Sequence, residues 1–347
     1  LKNKKIFICG HKGMVGNSLL NYLKNKKFKN IIVKDKKKLD LTNYNQVNKF
    51  IKKNKPDFII NCAGKVGGIL ANSLDPLNFL LKNIEIQLNI LKSCMENNIK
   101  YFINLGSSCI YPKYSLQPIS EKYLLDGKLE KTNEGYALAK IVGLKACEYY
   151  NVKFNKFYFT LMPCNLYGPN DEFDLKKSHF LPALIKKFHK SKKNNLVEIW
   201  GSGKAKREVM FVDDLADAIY FFMNKIYKKD KKFLMFIKKN HFLNVGTGED
   251  FSIKKYAQIV KKIINPKAKI KIKRISQSIT YVDAKNSIGF VAADIGIKAA
   301  IKNAKKTGIG LVAIKNSGHY GLSSFYAEQA VKNNLMVWCF TNAPPAI

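Results

Sequence analysis

The chain has 347 residues, 46% of them hydrophobic, with a formal net charge of +36. That suffices for one large α/β domain with an addition, or for two domains. No apolar run reaches the roughly 18 residues that a membrane span needs, so no membrane partner is expected.

The charge does not argue for nucleic acid. Of the 61 basic residues only Arg207 and Arg274 are arginines, and lysine lacks the bidentate fork that phosphate and base readers use. The lysines run along the whole chain beside many asparagines and isoleucines, the pattern of an A- and T-rich genome. Leu1 to Lys5 lead straight into a strand, so no signal peptide is expected. The seven cysteines show no metal-ligand spacing, and no metal is expected. They read as reduced thiols of a cytoplasmic protein.

In chain order, Lys4 to Cys9 is a short apolar strand. It enters Gly10-His11-Lys12-Gly13-Met14-Val15-Gly16 and then a helical pattern with Leu19, Leu20 and Leu23. Three glycines between strand and helix suit a nucleotide: the chain turns tightly, the backbone nears the pyrophosphate, and the helix N-terminus faces the charge. A second strand, Asn30 to Val33, runs into Lys34-Asp35-Lys36-Lys37-Lys38. An acid there favours the ribose hydroxyl of NAD, whereas cations favour the 2′-phosphate of NADP. Asp35 and the lysines point in opposite directions; Lys12 and Lys36 tip the expectation to NADP(H). Thr42 or Asn43 then caps the next helix.

A third strand, Asp57 to Cys62, precedes the small-residue loop Ala63-Gly64-Lys65-Val66-Gly67-Gly68, which should pass beneath the cofactor. A helix is expected from about Pro76 to Asn97. The strand Tyr101 to Leu105 stops at Gly106-Ser107-Ser108-Cys109. The next helix, to about Tyr150, carries Tyr136 and Lys140 four residues apart, one turn, so both face one way. A serine at a strand end with Tyr-x-x-x-Lys on the next helix suits moving a proton while a hydride moves. Strands follow at Phe157 to Leu161 and, after Pro163-Cys164-Asn165-Leu166-Tyr167-Gly168-Pro169, the rhythm breaks.

Ser178-His179 opens a helix through Lys187, and Trp200 and Arg207 follow. Phe211 to Ala216 returns to a helix, Leu243 to Gly248 is a strand and turn, and Ser252 caps a helix to about Ile264. Lys269 to Ile275 reads as a strand. From about Tyr281 the texture changes: a helix at Gly289 to Lys306, a strand at Gly310 to Ile314, a helix at Ser323 to Asn333 and a strand at Leu335 to Phe340.

The expected fold is α/β, a Rossmann-like doubly wound parallel sheet with a small substrate-binding C-terminal subdomain and a partial α/β tail. Residues 1–275 form the main body, with a nucleotide core at about 1–168 and 210–250. The substrate subdomain takes about 169–209 and 250–275, and the tail 281–347. Some 65 residues with two apolar strands hardly make a sufficient core alone.

Residues 1 to about 272 resemble the GDP-L-fucose synthases, bifunctional epimerase-reductases of the extended short-chain dehydrogenase family. The likeness rests on Gly-His-Lys-Gly-Met-Val-Gly at 10–16, Lys65-Val66-Gly67-Gly68-Ile69, Leu105-Gly106-Ser107-Ser108-Cys109-Ile110-Tyr111-Pro112, Asn165-Leu166-Tyr167-Gly168-Pro169 and Ser178-His179. One departure is Gly135, where that family commonly has proline. The tail is similar to an internal piece of the type-2 malate/L-lactate dehydrogenase family, through Val282-Asp283, Gly308-Ile309-Gly310, Asn316 to Gly321 and Thr341-Asn342-Ala343. That likeness makes His319 an acid/base, with the rest of that enzyme missing. A junction is expected near residues 273–282, and the C-terminal cover that should close the sugar-nucleotide pocket is missing too.

The first resemblance implies a GDP-sugar substrate, NADP(H), and a homodimer. It implies Ser107, Cys109, Tyr136, Lys140 and His179 as catalytic residues. Residues 10–16, Lys36, Leu105, Gly106, Ser107, Ser108, Lys140, Pro163, Asn165, Leu166 and His179 would hold the cofactor. Lys187, Trp200 and Arg207 would hold the substrate, the arginine by its bidentate grip on a diphosphate. Lys140 and the nicotinamide cation of the oxidised cofactor should together lower the Tyr136 pKa by favouring phenolate. His11 beyond its place in the loop, His189 and His241 read as structural or surface residues.

Overall fold

The structure is a computed structural model described for residues 1–191, 195–273 and 278–341, without the side chains of Trp200, Ile272 and Lys273. It divides into two compact units, residues 1–197 with 204–270, and residues 198–203 with 271–347.

The first unit alternates strands and helices from its start. Strand β1 (Ile6–Cys9) leads to helix α1 (Met14–Asn25), β2 (Ile31–Ile32), α2 (Tyr44–Asn54) and β3 (Phe58–Asn61). The Asn43 side chain caps α2 by accepting from the Gln46 N–H. A short α3 (Ile69–Leu74) precedes the long α4 (Pro76–Glu96), β4 (Tyr101–Leu105) and α5 (Glu134–Phe154). Strands β5 (Phe157–Pro163) and β6 (Asn165–Tyr167) follow, then α6 (Phe180–Lys190), β7 (Leu196–Trp200) and β8 (Lys206–Phe211). Helices α7 (Val212–Tyr227) and α8 (Lys231–Asn240), β9 (Phe242–Val245), β10 (Asp250–Ser252), α9 (Ile253–Ile264) and β11 (Lys269–Lys273) complete the run, with residues 198–200 of β7 and 271–273 of β11 assigned to the second unit. The Ser252 side chain caps α9 as its position implies.

Six strands form one parallel sheet in the order β2-β1-β3-β4-β5-β9. The order turns back beside β1, so ligands are expected at the carboxyl ends of the strands there. Strands β1, β3 and β4 are almost wholly buried because helices cover both faces. One face packs Ile6, Ile8, Phe58, Ile60, Ile103 and Leu105 against α1 and α7. The other packs Phe7, Ile59 and Phe102 against α2, α4 and α5. A smaller three-stranded sheet, β10-β8-β6, lies within the same unit. Of the expected substrate subdomain, residues 169–197, 204–209 and 250–270 fall in the first unit.

The second unit holds β12 (Ile279–Asp283), α10 (Gly289–Thr307), β13 (Leu311–Lys315) and α11 (Ser323–Val331). Strands β12 and β13 pair in parallel around the α10 crossover. Its core is small: Ile297, Tyr326 and Ala330. The expected strand from Leu335 to Phe340 is not one. These residues join no ladder, and Met336, Trp338 and Phe340 are exposed. A strand needs a neighbour for its N–H and C=O groups, and the strand that β13 pairs is β12, which the sequence reading left unassigned. Helix α8 is a second element that reading passed over. Ile275 and the middle of the expected junction, and Asn342 with Ala343, lie outside the described residues.

Candidate active site

Gly10 to Gly16 joins β1 to α1 in the shape a dinucleotide needs. Gly10 has φ +77° and passes so close to the next loop that a Cβ would sit 2.8 Å from Ala63 backbone atoms. A Cβ on Gly16 would overlap the Gly10 carbonyl oxygen. The cradle thus closes only with glycine at both positions. Gly13 caps α1 with no side-chain bond, leaving the first helical N–H groups for an anion. Met14 and Val15 are the first residues of that helix, Val15 against the core. This arrangement fits a pyrophosphate.

The Asp35 carboxylate is taken up by two side chains of the loop. Its Oδ1 lies 3.1 Å from Lys12 Nζ and 3.2 Å from His11 Nε2. The hydrogen bond from Lys12 is the chief cause holding its pKa below the carboxylate range. Lys36 is exposed beside it. His11 therefore has a defined partner instead of a purely surface role.

At the end of β4 the chain turns through Gly106, whose missing side chain leaves room for Met162. Ser107 is extended, and its Oγ accepts from the Cys109 N–H at 3.5 Å, starting the short 3-10 turn Ser108–Ile110. Cys109 is half-buried. Desolvation raises its thiol pKa, against the Ser107 hydrogen bond and the Lys140 charge. Lys140 is 4% exposed and donates to the Leu105 carbonyl at 2.8 Å. Burial lowers its pKa to about 8, opposed by Cys109 and Cys62.

Tyr136 lies one turn before Lys140, with the ammonium 5.6 Å from its ring centroid. Phe79 packs edge-on against the same ring at 6.4 Å. The lysine by itself does not produce the expected shift. Lys140 does not hold the Tyr136 pKa down; burial, then the Cys109 charge, push it well above the usual phenol value. The reason is geometric: Lys140 stands at the ring face and spends a donor on Leu105. Ser107, Cys109, Tyr136 and Lys140 are nevertheless brought together, since the fields of Cys109 and Lys140 act on each other and that of Cys109 on Tyr136. Gly135 fits the same region closely: a Cβ there would lie 2.6 Å from the Pro76 carbonyl oxygen, where α4 and α5 begin.

His179 precedes α6. Its segment is pinned to the small-residue loop by the Gly68 N–H, which donates to the Lys177 carbonyl at 2.7 Å, and a Cβ on Gly68 would overlap the Ser178 carbonyl. The His179 ring is exposed, yet desolvation lowers its pKa. Asp171 is the one acid whose charge raises the His179 pKa, and its own is raised by desolvation. Its Oδ2, and the Ser178 Oγ, are buried without a hydrogen-bond partner among the described residues. Sequence reading missed Asp171; its place two residues past Pro169 gave no local signal.

The remaining expected residues are more scattered. Asn165 donates to the Glu208 carbonyl at 3.0 Å, bracing β6 against β8. Pro163 ends β5, and Leu166 packs partly on the core. Lys187 is in the last turn of α6. Arg207 is on β8, where Nη1 donates to the Lys206 carbonyl at 2.7 Å. Trp200 ends β7, with its side chain outside those described. His319 belongs to the second unit, where its Nδ1 accepts from the Gly321 N–H at 3.1 Å.

A glycine cradle beside a Ser, Tyr and Lys set on a parallel sheet defines a nucleotide-dependent enzyme of the extended reductase type. The chain belongs to the NAD dependent epimerase/dehydratase family, whose model matches residues 6–246. Within it the chain is 42% identical, over 271 residues, to a putative GDP-L-fucose synthase 2 of Arabidopsis thaliana, covering 78% of this chain and 79% of the relative. It is also 43% identical to a GDP-L-colitose synthase of Yersinia pseudotuberculosis, covering 76% and 83%. Among solved structures it is similar to a GDP-D-glycero-L-gluco-heptose synthase from Campylobacter jejuni, determined in the presence of NADPH. The TM-score is 0.73 at 35% identity, over 79% of this chain and 89% of that one. Residues 252–347 match the malate/L-lactate dehydrogenase model, in agreement with the change of texture toward the tail.

Proposed function

We propose that the chain is a GDP-L-fucose synthase, which epimerises GDP-4-keto-6-deoxy-D-mannose at C3 and C5 and then reduces C4 with NADPH. The observation that carries this reading is the thiol of Cys109 within the Ser107, Tyr136 and Lys140 cluster. A simple reductase needs no acid/base group there. The C3 and C5 hydrogens flank a ketone, so each is acidic enough to be removed and replaced by a positioned acid and base. Cys109 and His179 form that pair. Burial keeps the resting pair neutral near pH 7, as thiol and imidazole. One proton passed between them creates the charged forms.

When bound, NADPH supplies the hydride that C4 receives. Ser107 holds the C4 oxygen and stabilises the charge developing on it. Tyr136 gives that oxygen its proton, and its raised pKa keeps it in the protonated form a donor requires. Lys140 holds the nicotinamide ribose. The 10–16 loop holds the pyrophosphate, with Lys12 and Lys36 for the 2′-phosphate. Leu105, Gly106, Ser108, Pro163, Asn165 and Leu166 border the nicotinamide half. Lys187, Trp200 and Arg207 take the GDP part, in a substrate region formed by about 169–209 and 250–275.

We read the enzyme as a homodimer. Support comes from Leu77, Leu81 and Leu88, which lie along one exposed stripe of α4, and Leu138, Tyr149 and Val152 along one of α5. The seven free cysteines support a cytoplasmic location. A second reading, a GDP-L-colitose synthase, is favoured by the 43% identity noted above. Incubation with NADPH and GDP-4-keto-6-deoxy-D-mannose, with product identification, tests both. GDP-L-fucose is expected; no NADPH oxidation with this substrate would overturn the first reading.

A further inference from the structure

A row of polar side chains crosses the central sheet where apolar ones are the rule. Asn61 of β3 pairs in register with Asn104 of β4, and Asn104 with Thr160 of β5. Asn61 and Asn104 are 1% and 0% exposed. Facing them from α4 is Gln87, 1% exposed, and one turn earlier Asn83.

The amides form a continuous relay. The Ala63 N–H donates to Asn61 Oδ1 at 3.1 Å, and Asn61 Nδ2 to Asn104 Oδ1 at 3.0 Å. Asn104 Nδ2 donates to Gln87 Oε1 at 3.2 Å. Gln87 Nε2 donates to the Asn83 carbonyl at 2.9 Å and to the Ala139 carbonyl at 3.0 Å. Asn83 completes the circuit by holding both the N–H and the carbonyl of Lys65. Two glycines make room for it. A Cβ on Gly143 would overlap Gln87 Oε1, and one on Gly64 would lie 2.8 Å from Asn83 Oδ1 and 3.8 Å from Lys140 Nζ.

Burying an amide without partners costs about 1–3 kcal/mol. Asn61, Asn83, Gln87 and Asn104 all find theirs, and what they connect is functional. Ala139 adjoins Lys140, Asn104 adjoins the carbonyl that Lys140 grips, and Ala63 to Lys65 form the loop expected beneath the cofactor. We propose that Gln87 is a positioning residue, which holds the Tyr136–Lys140 helix, the Ser107 strand end and the 63–65 loop in one geometry. This rests on the reductase reading of the site.

Gln87→Met keeps the length and deletes all three amide hydrogen bonds. In folded enzyme the reduction kcat should fall on the order of 10- to 100-fold, the effect of a small misplacement of reacting groups. Gln87→Glu can still accept from Asn104, but donates to Ala139 only when protonated. Burial raises its pKa, so activity should be retained at low pH and lost as pH rises through that pKa, an ionisation absent from the wild type. This variant carries the test if Gln87→Met does not fold.

A kcat within about twofold of wild type, or a Gln87→Glu profile that tracks the wild type, would overturn the proposal. Wild-type enzyme that does not turn over the keto sugar refutes the reductase reading instead. The NADPH dissociation constant, followed by nicotinamide fluorescence without any sugar, then decides. It should rise about fivefold in Gln87→Met, the worth of one hydrogen bond, and an unchanged value overturns the positioning role.

Discussion

Gly16→Ala tests the cradle most directly. In an exposed helix interior, alanine in place of glycine would stabilise by roughly 1 kcal/mol. Here the added Cβ overlaps the Gly10 carbonyl oxygen and lies 2.7 Å from its carbon and 2.8 Å from His11 Cα. All three are backbone atoms, so no side chain can swing away. Relief of the 2.3 Å contact with the oxygen to an ordinary 3.4 Å moves the 10–11 backbone by about 1.1 Å. Overpacking of this kind costs roughly 1–3 kcal/mol or more and outweighs the helix gain. At about 2–4 °C per kcal/mol for a domain of this size, the Tm should drop by several degrees.

Gly13→Ala is the control, because its Cβ meets only the Gly10 oxygen at 3.4 Å. Its Tm should stay near the wild-type value, whatever it does to NADPH affinity. Differential scanning fluorimetry with and without NADPH, together with a fluorescence titration, reads both effects. Gly16→Ala should lower Tm and weaken NADPH binding. Equal Tm and equal affinity for Gly16→Ala and wild type would refute the cradle geometry.

Other perturbations reach the chemistry. Tyr136→Phe should abolish C4 reduction while solvent-deuterium exchange at C3 and C5 continues; unchanged NADPH oxidation would remove the proton-donor role. Cys109→Ser should block that exchange with NADPH still bound, and normal deuterium incorporation would exclude the thiol. The pH profile follows from Lys140, whose pKa is lowered to about 8. Its ammonium is complete below that value and lost above it, so kcat/KM for reduction should fall on the alkaline side near pH 8. A profile flat through pH 9 in Lys140-intact enzyme would contradict this.

The glycine cradle and the Tyr136–Lys140 pair were legible because their spacing is local. A turn of fixed shape and one helical turn are written within four to seven residues. The same holds for the caps at Asn43 and Ser252. The amide relay was not legible, because its links join residues 43, 17 and 52 positions apart. Nothing within a few residues of Asn104 in its apolar strand, or of Gln87 in its helix, points to the partner. Tertiary context also overrode the pattern at Leu335 to Phe340, where β-prone residues have no ladder to join. The raised Tyr136 pKa was not legible for a related reason: a spacing of four says that two side chains face one way, but burial and the Leu105 carbonyl decide what the ammonium does there.

The second unit bears on how the molecule behaves in solution. Leu322, Phe325, Met336, Trp338 and Phe340 are all more than half exposed, on a chain of net charge +36. Sticky surface and strong mutual repulsion then compete, and the reach of that repulsion is the Debye length. At 0.01 M salt it extends about 30 Å, whereas at 0.15 M it shrinks to about 8 Å. Added salt should therefore lower the solubility of this protein rather than raise it, and light scattering should show attraction between molecules growing with ionic strength.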